Sequence, residues 1–116
     1  MTDRTNAASG ETRVEKLKSM LDFQHQAIVS RMLVKNAAGS ATLFAFDKGE
    51  GLSEHTAPFD ALLIGVEGEA EVRVDADIHR LGEGETLLIP AGAPHAVAPR
   101  SQFKMLLVML KGERKA

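Results

Sequence analysis

The stretch Gly84-Glu85-Thr86-Leu87-Leu88-Ile89-Pro90-Ala91-Gly92-Ala93-Pro94-His95 constrains this chain more tightly than any other. Four β-favouring residues, Thr86 to Ile89, run into Pro90, which has no N–H for a ladder and closes the strand or marks an edge. Gly92 is free to take a positive φ, and Pro94 fixes the exit from the turn. His95 then opens the next strand, Ala96–Ala98. A titratable ring held just past a rigid turn is aimed at the mouth of whatever the strands enclose.

The same alternation of strand and turn recurs along the chain. Ala27–Lys35 is rich in Ile28, Val29, Met32, Leu33 and Val34 and reads as a strand; Asn36–Ser40 is a turn; Ala41–Asp47 alternates again, apolar on both faces. Lys48–Gly51 is a loop. Glu69–Val74 places Ala70, Val72 and Val74 on one side and charges on the other. Asp75–Asp77 turns the chain into a hairpin partner, Ile78–Leu81. Phe103–Leu110, apolar at nearly every position, predicts a strand buried on both faces or against a second subunit. Seven or eight strands, with turn signals every 8–12 residues, argue an all-β sandwich or barrel. Periodicity alone leaves immunoglobulin-like, jelly-roll and small-barrel folds open.

Residues 1–12 are small and polar and are expected to form a disordered tail, leaving 13–116 as one domain. Thr12 and Glu15 have capping-box spacing, with Val14, Leu17 and Leu21 on one helical face, so a short helix over 13–20 is predicted. An extended arm is the alternative, because Leu21-Asp22-Phe23 alternates as a strand does.

Composition narrows the partners. A formal net charge of −2 argues against nucleic acid, and five Phe with no Trp or Tyr provide little for base or sugar stacking. Lys111, Arg114 and Lys115, interrupted by Glu113, read as a solvated terminus. No apolar run approaches the ~20 residues of a membrane span. With no cysteine and no hydrophobic centre near Met1, the expected location is the cytoplasm.

Two motifs choose among the folds. Gly84–His95 resembles the second conserved motif of the cupin superfamily, G-x5-P-x-G-x2-H. Gly51-Leu52-Ser53-Glu54-His55-Thr56-Ala57-Pro58-Phe59-Asp60-Ala61, continuing to Gly68, is similar to the first, roughly G-x3-H-x-H-x3-E-x6-G. The leading glycine, His55 and Gly68 are kept. Ala57 stands where the second histidine belongs, Ala61 where the glutamate belongs, and Pro99 in place of the second motif's final asparagine. The resemblance implies a cupin jelly-roll barrel (a double-stranded β-helix), the short N-terminal helix or arm preceding it, with the motifs on facing strands around a pocket. It also implies a homodimer, which the apolar content of Ala27–Val34 and Met105–Leu110 suits.

In an intact cupin the motifs give three histidines and a glutamate to a divalent metal. Side chains two apart on a strand share a face, so H-x-H brings two imidazoles to one ion. Here the expected pocket is His55, Ala57, Ala61, His95 and Met105, with His55 and His95 as remaining metal ligands for Fe, Mn, Ni or Zn. Glu54 and Asp60 have the opposite parity to His55 and should face away, unless a bulge near Pro58 re-aims Asp60 as a substitute ligand. His25 and His79 read as surface or structural residues. Three functions follow: a pocket that binds a small molecule, enlarged by Ala57 and Ala61; a divalent-metal-dependent enzyme of oxygenase or isomerase type with a reduced ligand set; and a metal-free histidine acid–base catalyst, as in sugar-epimerising cupins, weakened by the lack of tyrosine as acid.

Overall fold

Among the described residues nine strands form where the alternation and turn residues place them: β1 Ile28–Asn36, β2 Gly39–Phe46, β3 Leu52–His55, β4 Asp60–Glu67, β5 Ala70–Val74, β6 Asp77–Leu81, β7 Thr86–Ile89, β8 His95–Pro99 and β9 Phe103–Leu110. The extra strand arises within the first motif, where the segment around Pro58 separates β3 from β4. The computed structural model describes residues 11–112. Through residue 10 the expected tail lies outside the described residues, as do Arg114 and Lys115.

The strands make two antiparallel sheets, β1-β2-β9-β4-β7 and β3-β8-β5-β6. Their facing sides share one core: Phe46, Phe103, Met105, Leu63, Ala61 and Ile89 from the first sheet, against Ala70, Val72, Val74, Leu81 and Val97 from the second. This is the expected all-β jelly roll. Two hairpins use local chemistry. Asn36 Oδ1 accepts from the Ala38 N–H at 2.8 Å, and Asp75 takes φ 53° between β5 and β6. Gly65 has a different role, because a Cβ there would lie 1.9 Å from the Gly82 carbonyl oxygen. The β6–β7 turn can press onto β4 only with a glycine at that position.

The predicted helix over 13–20 is reduced to one 3₁₀ turn, Leu17–Ser19. Val14 is fully exposed, so the proposed apolar face has nothing to pack on, and short helices without packing are marginal in water. Leu21 and Phe23 are half-buried with Asp22 exposed, matching the arm alternative.

That arm lies across the outer face of the larger sheet and is held by two cations. Arg31 Nη1 donates to the Met20 carbonyl at 3.0 Å. Lys104, within the otherwise apolar β9, is buried; its Nζ donates to the Lys18 carbonyl at 2.7 Å, lies 3.2 Å from Glu67 Oε1 and sits over the Phe23 ring at 4.8 Å. A buried ammonium survives only when its donors are used, and here three groups use them. Replacing Lys104 by Met should cost about 2 kcal/mol in urea unfolding, because the Lys18 carbonyl and Glu67 lose their partner while the aliphatic stem is kept. Lys104→Ala should cost more, and Glu67→Gln less, since Glu67 can turn to water. A Lys104→Met variant as stable as the wild type would show that the arm is held by apolar contact alone.

Candidate functional site

β3 and β8 pair antiparallel, but out of step. Leu52 lies opposite Val97 and His55 opposite His95, so two residues of β3, Ser53 and Glu54, span the place of Ala96 alone. This bulge changes the parity of the strand. Leu52 packs on the core, and yet His55, three residues on, aligns with the inward-facing His95. Glu54 is turned the other way, its Oε1 2.6 Å from Arg73 Nη2.

The His55 and His95 ring centroids are 4.2 Å apart with planes inclined at 61°. Each Nδ1 meets the carbonyl oxygen two residues earlier in the chain, Ser53 O in β3 at 2.8 Å and Ala93 O in the turn before β8 at 2.9 Å. A carbonyl only accepts, so each Nδ1 carries the hydrogen and each neutral ring keeps its Nε2 lone pair for something else. His95 is 8% exposed, with Val74 beside it on β5, whereas His55 is exposed to solvent. The pair therefore has a protein side and an open side.

Two connections cross between the sheets at this end, and they are tied together. The Gly92 N–H donates to the Ala57 carbonyl at 2.8 Å, and the Ala91 N–H to Asp60 Oδ1 at 2.9 Å. Gly92 takes φ 82° there, as its place in the turn requires. Asp60 and Glu54 thus hold a turn and an arginine, and neither is brought into the histidine pair. Strand parity cannot carry through from His55 to Ala61, because residues 56–59 are not strand.

Ala61 is buried at this end of β4, level with Met109 on β9 and Ile89 on β7. Met105 faces the same interior but two inward-facing rows deeper, opposite Phe44 and Gly65, so it fills the core instead of lining the mouth. At the rim, Lys111 Nζ lies 5.8 Å from the Phe59 ring centroid. Met105 and Met109, at period two on β9, read in the sequence as core or interface filler, and only cross-strand register brings Met109 level with Ala61 and Ile89, and Val74 level with His95. His25 and His79 are exposed and separate from the pair.

A metal held by protein donors alone does not fit this arrangement. Such sites ordinarily use about three protein ligands, and among the described residues no three His, Cys, Asp or Glu side chains come together. A polar depression lined by Asp47, Lys48, Glu67, Gly68, Arg100, Ser101 and Gln102 lies at the opposite end of β8. Its charges are largely engaged. Hydrogen bonds from Gln102, then from the Gln26 and Lys48 backbones, hold the Asp47 carboxyl below the usual carboxylate range, and Arg100 pairs with Glu71 at 2.6 Å.

The tautomers are measurable. Nitrogen-resolved NMR of the neutral imidazoles, taken at alkaline pH, should show hydrogen on Nδ1 and a bare Nε2 for both His55 and His95. The exposed His25 and His79 should not share that uniform state. Hydrogen on Nε2 of either paired ring would mean that its carbonyl contact is not a hydrogen bond.

Residues 42–110 match the family described as the Cupin domain. No curated protein matches the chain. Among solved structures, a conserved protein of unknown function from Streptococcus pyogenes is 35% identical, with a TM-score of 0.83, over 90% of this chain and 91% of that one. A cupin superfamily protein from Desulfitobacterium hafniense is 30% identical over 86% of this chain and 92% of its own, with a TM-score of 0.81. A cupin 2 conserved barrel domain protein from Leptotrichia buccalis is 39% identical over 78% of this chain but only 44% of its own, with a TM-score of 0.75.

Proposed function

This chain belongs to the cupin superfamily, and from that premise we propose that it binds a small molecule at the barrel mouth through His55 and His95. The observation that carries this reading is the pair of rings 4.2 Å apart, each with Nδ1 committed to a backbone carbonyl and Nε2 left over. Two lone pairs on tethered rings, one buried and one open to solvent, suit a ligand with N–H or O–H groups, and protonation would turn the same atoms into donors for an anion.

A second reading, a divalent-metal-dependent enzyme of oxygenase or isomerase type, draws on the same Nε2 atoms, since neutral imidazole is a common metal ligand. It lacks a third protein donor among the described residues. The acid–base reading needs a carboxylate to orient one ring, and carbonyls fill that role for both. A homodimer is part of the proposal. Met32 and Val34 on the edge strand β1 are about half exposed, as are Leu88 and Leu110, and a second copy would cover such residues.

Thermal-shift screening with a panel of small carboxylates, amines and sugars tests the main reading. A ligand near ~100 times its Kd stabilises by about 2.7 kcal/mol, and that shift should vanish in the His55→Ala, His95→Ala double variant. Elemental analysis after purification without a metal-affinity column should find metal well below one equivalent. One full equivalent, lost in the double variant, would favour the enzyme reading instead.

A further inference from the structure

The two sheets differ in width, and the excess lies beside the histidine pair. At the end away from the mouth, connections join β2 to β3, β4 to β5, β6 to β7 and β8 to β9. These strands therefore stand face to face across the core, and β1 of the five-stranded sheet has no strand opposite it. Register fixes what lies at the mouth. The end row of the smaller sheet runs Asp77, Val74, His95, His55, and that of the larger sheet Ile89, Ala61, Met109, Ser40, Lys35. His55 on β3 thus faces Ser40 on β2, with Lys35 beyond it on the overhanging strand. Lys35 reaches this inner row through a bulge: the register of β1 shifts between Met32 and Val34, so its parity reverses and Val34 turns outward instead. Burial falls steadily along the row. Ile89 is 2% and Ala61 4% exposed, Met109 and Ser40 are half-buried, and Lys35 is exposed. The interior is closed on the β7 side and open on the β1 side, where His55 is exposed too.

The polar groups on this open side lack protein partners. Among the described residues Lys35 forms no ion pair, and the half-buried Ser40 hydroxyl makes no hydrogen bond. The nearby carboxylates are engaged, Glu54 with Arg73 and Asp60 with the Ala91 N–H, and Asp77 stands at the far end of its row. What remains has two different needs. The Nε2 lone pairs accept from N–H or O–H groups, whereas an ammonium beside a hydroxyl suits an anion. We infer that the mouth extends from the histidines onto the β1–β2 hairpin and takes a small hydroxycarboxylate. Its hydroxyl donates to Nε2 of His55, and its carboxylate lies between Ser40 and Lys35. Facing sheets pack ~10 Å apart, which suits a molecule of a few carbons. Lys35 and Ser40 then select the anion, and the histidines select the hydroxyl. This inference rests on the small-molecule reading of the mouth and names the class of molecule.

Glycerate provides the test, with glycerol (hydroxyls without the charge) and propionate (the charge without a hydroxyl) as controls. Each is titrated into the full chain at alkaline pH and followed by imidazole and backbone-amide NMR. Glycerate should move the His55 and His95 resonances together with the Ser40 and Lys35 amides. It should bind about five-fold more tightly than either control, the size of an exposed ion pair. Lys35→Met, at an exposed position, should remove the advantage over glycerol and leave glycerol binding unchanged. Lys35→Arg should keep that advantage, added salt should shrink it, and Ser40→Ala should weaken glycerate. Glycerate binding no better than glycerol would overturn the inference, and so would a Lys35→Met variant that keeps the preference. If a ligand of the thermal-shift panel moves the imidazoles while the hairpin amides stay still under glycerate, the inference falls and the mouth reading stands. Silence of both imidazoles towards glycerate and the whole panel removes both.

Discussion

One irregularity in one short strand sets the geometry of the candidate site. Without the bulge at Ser53–Glu54, regular pairing from Leu52 opposite Val97 would bring Glu54, not His55, level with His95. The bulge lets an apolar residue enter the core and a histidine three positions later face the same interior, which strand periodicity alone forbids. It also sends Glu54 outward to Arg73. The turn at Pro90–Pro94 fixes the other ring independently, and the Gly92 to Ala57 and Ala91 to Asp60 hydrogen bonds join the two connections into one rim.

The chemistry follows from how those rings are tethered. Each is held by the backbone carbonyl two residues before it, so the tautomer is dictated by backbone that is already in place. Both Nε2 atoms stay available, but neither brings negative charge. The usual cupin ligand set supplies a carboxylate at the position of Ala61, and here that residue is 4% exposed within the core. With methyl groups in place of a histidine and a glutamate, no third ligating side chain joins the pair among the described residues.

The outer face of the larger sheet shows another way to use a polar residue in apolar surroundings. Lys104 lies level with Ala45 and Glu67, and it is tolerated because Lys18, Glu67 and Phe23 all engage its ammonium. The N-terminal segment gains order from those contacts, not from helical propensity. Its conformation is therefore a property of the sheet beneath it.

Strand positions, the hairpins and the cupin family were legible in the residues. Alternation, proline stops and turn glycines act over a few positions, and Phe103–Leu110 formed as read because its neighbours in sequence suffice to specify a buried strand. The motifs also marked His55 and His95 from their spacing against Gly51, Pro90 and Gly92. Other features waited for tertiary structure: the parity change before His55, the depth of Met105 in the core, the engagement of Asp60 and Glu54, and the burial of Lys104. Each depends on which residue of a distant strand lies opposite. That register comes from packing two sheets against each other over the whole barrel, and no local pattern in the chain encodes it.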